Sequence, residues 1–414
     1  MCDEHHARKG NRKDCPYDIT NVQFKKMKML LLIIVTMLIA SCQKKTPEPI
    51  TPITPTVDLT ALKLPKGVKS DQVIWQNTEG VLTFVKNTNF SDLPNTDEDK
   101  EGFYWTVPTL VKKVVINANV KITGGFRAID VLTIEGKDRA SSEIFGTDTK
   151  AWSLGADAKE DPNTSCQNGA KGDDRVHDCE KWKYGAISST AANSATITVQ
   201  NLTITNARSY AITSFGSKYI VDNVHIRNTR PTPDYHSNSD GISAGAGSVV
   251  KNSKIDTWDD EIKLYRDMTV ENVTLVHNSN GAPFQLGWGN DNNVTNHTIK
   301  NVLVVVNNKS YTNLALFSAS LTSGKVTRNV TIDGLKVQYD ATQKLRNTDP
   351  LPLFLMKSPD AVLNITVPTN GILAISAPIA VGGTGKVTIN ACGVTSVQNA
   401  YSCGDGSKVT GCGW

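Results

Sequence analysis

Six segments of one pattern recur in the middle of the chain: "VQNLTI" at 199–204, "VDNVHI" at 221–226, "VKNSKI" at 250–255, "VENVTL" at 270–275, "IKNVLV" at 299–304 and "IDGLKV" at 332–337. Their third positions are Asn201, Asn223, Asn252, Asn272, Asn301 and Gly334, so the pattern returns at steps of 22, 29, 20, 29 and 33. Self-similarity at that period, with β-branched residues, alternation and no helical periodicity, predicts the coils of a solenoid. Asparagine suits a tight corner that returns in every coil, because it tolerates left-handed backbone angles and its amide bonds neighbouring peptide groups. Gly334 meets the same demand in the last repeat. Stacked coils pair strand on strand about 4.8 Å apart, so the expected fold is all-β, a right-handed parallel β-helix over 106–390. Upstream, "KVVINANVKITGG" and "VLTIEGKDRASSEIFGT" fit earlier coils. Leucine-rich repeats are the competing solenoid, but their leucine spacing is absent.

The rest of the chain divides around that block. "KKMKMLLLIIVTMLIASC" has the basic stretch, the short apolar stretch and the small residues of an export signal. Its apolar part falls short of the about 20 residues that span a membrane. The polar segment before it is read as a non-native extension, with translation starting at Met27 or Met29, so 1–42 is extension plus signal. Residues 43–58, rich in proline and threonine, read as an extended tether. Residues 59–105 form a cap or a few short strands, and 391–414 a cysteine-containing tail.

Composition narrows the function. A chain of 414 residues with 39% hydrophobic and 20% charged residues has the means to bury a core and lacks the signature of disorder. Of the net charge of +4, residues 1–42 supply seven Lys/Arg and four Asp/Glu, leaving the remainder with 37 basic against 36 acidic side chains. Nucleic-acid binding therefore has no support. Export implies an oxidising compartment, where Cys166 and Cys179 are expected to close a disulfide loop. Cys392, Cys403 and Cys412 leave one thiol unpaired. With no CxxC pair, no metal site is expected, and no cofactor.

The chemistry gathers in "NSDGISAGAGSVVKNSKIDTWDDEIKLY" at 238–265. Asp256 closes a repeat strand and goes with the scaffold. Asp259 and Asp260 are adjacent like charges in an apolar, strand-like run, from which Asp is depleted, and one of their pKa values should rise. Asp240 precedes Asn252 by twelve places and Asp259 precedes Asn272 by thirteen, so the two fall at nearly the same phase of consecutive coils. That places Asp240, Asp259 and Asp260 on one face. Carboxyl groups about 6.5–9.5 Å apart suit an inverting glycosidase, one protonating the leaving oxygen and others activating water. Lys263 and Tyr265, which alternate from Asp259, and Gln285 and Trp288 in "FQLGWG", one coil on, are candidate sugar contacts. Glu261 is expected to partner Lys263. His225 and His277 look structural, and His236, Tyr235 and Trp258 carry weaker signals.

These residues also carry resemblances. The "LIASC" ending resembles the lipobox of bacterial lipoproteins, which implies lipidation of Cys42, attachment to the cell envelope, the outer membrane by sorting, and no other membrane contact. The Asp of "NSDG", the adjacent pair nineteen and twenty places on in "WDDEIKLY", and "FQLGW" resemble glycoside hydrolase family 49, the dextranases and isopullulanases, and more distantly the family 28 polygalacturonases. The resemblance implies a parallel β-helix and inversion at the anomeric carbon, with Asp259 as general acid and Asp240 and Asp260 activating water. The Gly-His-Gly and Arg-x-Lys of polygalacturonases are missing, with "QLGWG" where the histidine motif would stand, so a neutral α-glucan is the expected partner rather than pectin. Family 49 members also carry an N-terminal β-sandwich, for which 59–105 are too few residues. A monomer is expected. Two other functions use the same fold: lyase or polygalacturonase action on a uronate polysaccharide, and non-catalytic glycan binding. Feeding a radiolabelled fatty acid should label the wild type and leave Cys42→Ala unlabelled; equal labelling of both would remove the anchor.

Overall fold

The computed structural model describes residues 59–91, 104–148, 185–192, 195–208, 210–214, 216–230, 239–278, 281–290, 292–307, 315–323, 325–339, 354–368, 373–375, 379–383, 385–390, 401–402 and 408–410. Cys42, Cys166, Cys179, Cys392, Cys403, Cys412, Tyr235 and His236 lie outside them, as do the signal and tether.

Regular structure among the described residues is almost entirely strand. The helical elements are two single 3-10 turns, Thr60–Leu62 and Ser70–Gln72. After an antiparallel hairpin of Val73–Gln76 with Val81–Phe84, each strand pairs in parallel with its counterpart in the next repeat. Parallel pairing begins before residue 106, since Val81–Phe84 lies beside Lys113–Ile116. It continues through both upstream segments, Lys113–Ile116 beside Leu132–Gly136 and Lys121–Thr123 beside Glu143–Phe145. The nearly all-β, parallel arrangement is consistent with the expected stack of coils.

The six-residue pattern is the register itself. Its first positions pair in series, Val199 with Val221, Val250, Val270, Ile299 and Ile332 in turn. Its sixth positions do the same, Ile204 through Ile226, Ile255, Leu275, Val304 and Val337. All of these residues are buried. Each Val or Ile removed from water contributes about 1.5–3 kcal/mol, and a slip by a single position would turn the column out to solvent. The third positions take the left-handed conformation: Asn201 (φ 56°), Asn223 (56°), Asn252 (53°), Asn272 (54°) and Asn301 (50°), with Gly334 at 118°. Their amides also form part of a ladder, Asn223 donating to Asn201, Asn272 to Asn252 and Asn301 to Asn272 at 2.8–3.2 Å.

A second sheet contains Ile187–Ser189, Ile212–Thr213, Ile242–Ser243, Ile262–Lys263, Phe284–Asn290, Phe317–Ser323 and Phe354–Met356. Its first positions form a buried apolar column ending in Phe284, Phe317 and Phe354, with ring centroids 4.8 and 5.7 Å apart. The alternate positions point to the other face, and there the column reads Ser188, Thr213, Ser243, Lys263, Gln285, Ser318. Replacing Asn272 by Ala should lower stability by about 1–2 kcal/mol, the penalty for a left-handed L-residue, and Asn272→Gly should cost less; equal losses in urea unfolding would remove the conformational argument.

Candidate active site

The strand Lys254–Thr257 ends before the acidic pair, and Ile262–Lys263 begins after it. Asp259 and Asp260 therefore occupy the bend between the two sheets, not the interior of a strand as their apolar flanks implied. The bend accommodates residues that the ladder disfavours. Thr257 Oγ1 donates to the Asp259 carbonyl at 3.2 Å, and the Asp260 N–H donates to Asp259 Oδ1 at 3.0 Å.

Register brings in Asp240. Ile242 pairs with Ile262 and Ser243 with Lys263, and the same offset carried back along both segments sets Asp240 opposite Asp260 rather than Asp259. The Gly241 N–H donates to the Asp260 carbonyl at 2.8 Å. One strand earlier the same position is Tyr210, by the pairing of Ile212 with Ile242; one strand later it is Ala282, by that of Ile262 with Phe284.

The three carboxylates are 4, 7 and 5% exposed for Asp240, Asp259 and Asp260. One oxygen from each lies within 4.8 Å of the others. Lys263 Nζ bridges two of them, donating to Asp240 Oδ1 at 2.8 Å and to Asp260 Oδ2 at 2.7 Å. The rings of Tyr210 and Tyr265 stand 5.2 and 5.7 Å from that ammonium. Asp260 Oδ1 accepts the Ala282 N–H at 2.8 Å, and Gln285 Nε2 approaches both Asp260 oxygens at 3.3 and 3.4 Å. Among the described residues this is the acidic cluster that could gather round a cation, and Lys263 already supplies a positive charge to two of its members.

Burial drives the Asp240 carboxyl well above the ordinary aspartate range; the Lys263 ammonium opposes this, while the Asp259 and Asp260 charges add to it. Burial pushes Lys263 the other way, but Asp240 and Asp260 outweigh it and keep the amine protonated well above the usual lysine range. Burial leads the shift of Asp240, and the neighbouring carboxylates lead that of Lys263. Lys263 stays an ammonium, and the Asp240 carboxyl favours its protonated form.

Of the other residues singled out in the sequence, Tyr265 is buried and Gln285 fully so, turned to Asp260. Trp288 lies in the strand Phe284–Asn290 opposite Ser320; its side chain is outside the described set. Glu261 does not partner Lys263. It is completely buried with His277, whose Nδ1 lies 2.9 Å from Glu261 Oε1. Tyr210 and Gly281 are additions that sequence reasoning missed. Tyr210 precedes Asn223 by the same count that links Asp259 to Asn272, so the repeat phase contains its signal. Gly281 has φ +71°, and a Cβ there would collide with Asp260 Oδ1 and stand 2.8 Å from Asp259 Oδ1. Glycine thus leaves the space that both carboxylates occupy.

No family profile matches the chain. A dextranase of Arthrobacter sp. (strain CB-8) is 23% identical over 160 residues, 36% of this chain and 25% of that protein. A dextranase of Arthrobacter globiformis is 22% identical over 160 residues, with the same coverage. The match spans about a quarter of the length of these relatives. Removing the ammonium tests the electrostatics of the cluster: Lys263→Met should destabilise the fold by about 3–5 kcal/mol near neutral pH, because buried carboxylates lose their counter-charge. The raised Asp240 pKa gives the sign, since its protonated form is the one the fold favours; the deficit should shrink as the pH falls and grow as it rises. A deficit independent of pH in urea unfolding would contradict this.

Proposed function

We propose that the protein is a glycoside hydrolase acting on α-glucan of the dextran or pullulan type, built as a right-handed parallel β-helix, exported, and held at the cell envelope by a lipid on Cys42. The observation that carries the catalytic part is the gathering of three buried carboxylates, two of them bonded to one ammonium, at the bend that leads into the second sheet. The similarity to two dextranases supports the substrate class.

The roles divide as the geometry divides. Asp240 and Asp260 are opposite each other in register and share Lys263, forming the pair that holds the water; Asp260 takes its proton while Asp240, which burial holds well above the ordinary aspartate range, keeps its own. Asp259 lies outside that shared contact and gives its proton to the glycosidic oxygen. The water oxygen bonds to the anomeric carbon as the bond to the leaving sugar breaks, so the displaced proton ends on Asp260 and the acid's proton on the leaving hydroxyl. A lyase needs a neutral amine or a cation-bound uronate, and an amine held protonated well above the usual lysine range is a poor base.

A retaining course would have one carboxylate attack the sugar directly. Proton NMR of the first product decides: the inverted anomer is expected, and the retained anomer would make one of the three a nucleophile. Across dextran, pullulan, other α-glucans and polygalacturonate, Asp240→Asn, Asp259→Asn and Asp260→Asn should each lose about 10²–10⁴-fold in kcat with folding preserved. An aryl glycoside whose leaving group needs no protonation should restore turnover to Asp259→Asn alone. Near-wild-type hydrolysis by all three variants would defeat the assignment.

A further inference from the structure

Next to the acid cluster lies a second pair of titratable groups that the hydrolytic scheme does not use. Glu261 follows Asp260 in the chain, and both Glu261 and His277 are 0% exposed. His277 Nδ1 lies 2.9 Å from Oε1 and 3.1 Å from Oε2, so a hydrogen stands between ring and carboxylate. His277 ends the strand Thr274–His277, where it pairs with Thr257, the residue whose hydroxyl holds the Asp259 carbonyl. Its neighbour Asn278 donates to the Thr257 carbonyl at 2.7 Å and to Asp256 Oδ1 at 2.8 Å.

The backbone of Glu261 makes the opposite connections. Its carbonyl accepts the Ile242 N–H at 2.9 Å, which ties it to the strand that follows Asp240, and its N–H donates to the Ala282 carbonyl at 3.2 Å, next to the amide that holds Asp260. Glu261 is therefore bonded to the segments bearing all three carboxylates: covalently to Asp260, through the Ile242 amide to the segment of Asp240, and through His277 to the strand beside Thr257. A buried ionisable pair is a poor source of stability compared with apolar residues of the same volume, so its presence at this junction calls for another role.

We propose that Glu261 and His277 are positioning residues, whose buried imidazole–carboxylate bond fixes the bend so that Asp259 and Asp260 face Asp240 and Lys263. This rests on the hydrolase reading for its kinetic consequence only. The charged or titratable groups on the segments round Glu261 include His277, Asp240, Lys254, Asp256, Asp259, Asp260, Lys263 and Tyr265. Burial raises the Glu261 carboxyl from the ordinary value to about 7; His277 opposes this and Asp260 adds to it. A raised carboxyl pKa favours the protonated form in the fold, so the stability it contributes is full below about 4.5 and is lost as the pH rises through about 7.

Glu261→Ala and His277→Ala should lower kcat by up to about 100-fold with KM within a few-fold, as for a site displaced by about 1 Å. Glu261→Gln and His277→Asn, which can still bridge by an amide, should recover at least ten-fold of that loss and cover the case in which an alanine variant does not fold. A second readout needs no substrate: the Asp240 carboxyl carbon, followed by 13C NMR, should titrate at a different pH in the alanine variants than in the wild type. Unchanged kcat and an unchanged Asp240 titration in folded variants would overturn the proposal, as would amide variants no better than alanine. If the wild type cleaves no glucan, the hydrolase reading fails by itself, and the carboxyl titration still decides whether this pair positions the cluster.

Discussion

Parallel register is the constraint on which the rest depends. Pairing Val199, Val221, Val250, Val270, Ile299 and Ile332 in one column turns long and unequal steps along the chain into a single strand spacing, about 4.8 Å. The same constraint acts on the second sheet, where the register that sets Ser243 beside Lys263 also sets Asp240 beside Asp260. The fold assembles its acidic cluster from residues remote in the chain without any long loop reaching across. Because the paired columns are apolar and buried, a slip that separated the carboxylates would expose the core.

Crowding three carboxylates is unfavourable, and the structure offsets it locally. Lys263 lies in the strand next to the bend and gives its ammonium to Asp240 and Asp260, while Tyr210 and Tyr265 present ring faces to the same charge. The Ala282 amide and the Gln285 side chain add donors to Asp260, and Gly281 keeps the space beside the pair free of a side chain. Every one of these comes from a strand or bend within two repeats of the pair. The compensation is thus a product of stacking, as is the cluster itself. What remains uncompensated is the excess negative charge, which together with burial holds the Asp240 carboxyl well above the ordinary aspartate range.

Much of this is legible in the chain. The six-residue pattern states the register residue for residue, and the asparagines state the corners, because one backbone conformation must recur in each repeat. The three aspartates are legible for the same reason: counting back from Asn252 and Asn272 puts them in phase. Asp240 stands twelve places before Asn252 and Asp260 twelve before Asn272, so the count itself pairs Asp240 with Asp260, as the register does; Asp259, at thirteen, is one place off. By contrast, "TWDDEIKLY" reads as a strand by its apolar flanks, while the bend at the pair follows from the strands that pack on either side. Matching Glu261 to Lys263 assumes a straight strand, on which alternate residues face the same way; the bend sends Glu261 inward to His277 instead. Tyr210 and Gly281 carry no chemical signature of their own. Their importance comes from the column in which they stand.

Whether the face bearing Asp240, Asp259 and Asp260 is where a glycosidic bond breaks is tested most directly by a crystal structure of the Asp259→Asn variant with an α-1,6-linked gluco-oligosaccharide. The predicted result is a glycosidic oxygen within hydrogen-bond reach of residue 259 and a water held by Asp240 and Asp260 near the anomeric carbon. A sugar bound on another face, with the cluster untouched, would contradict it.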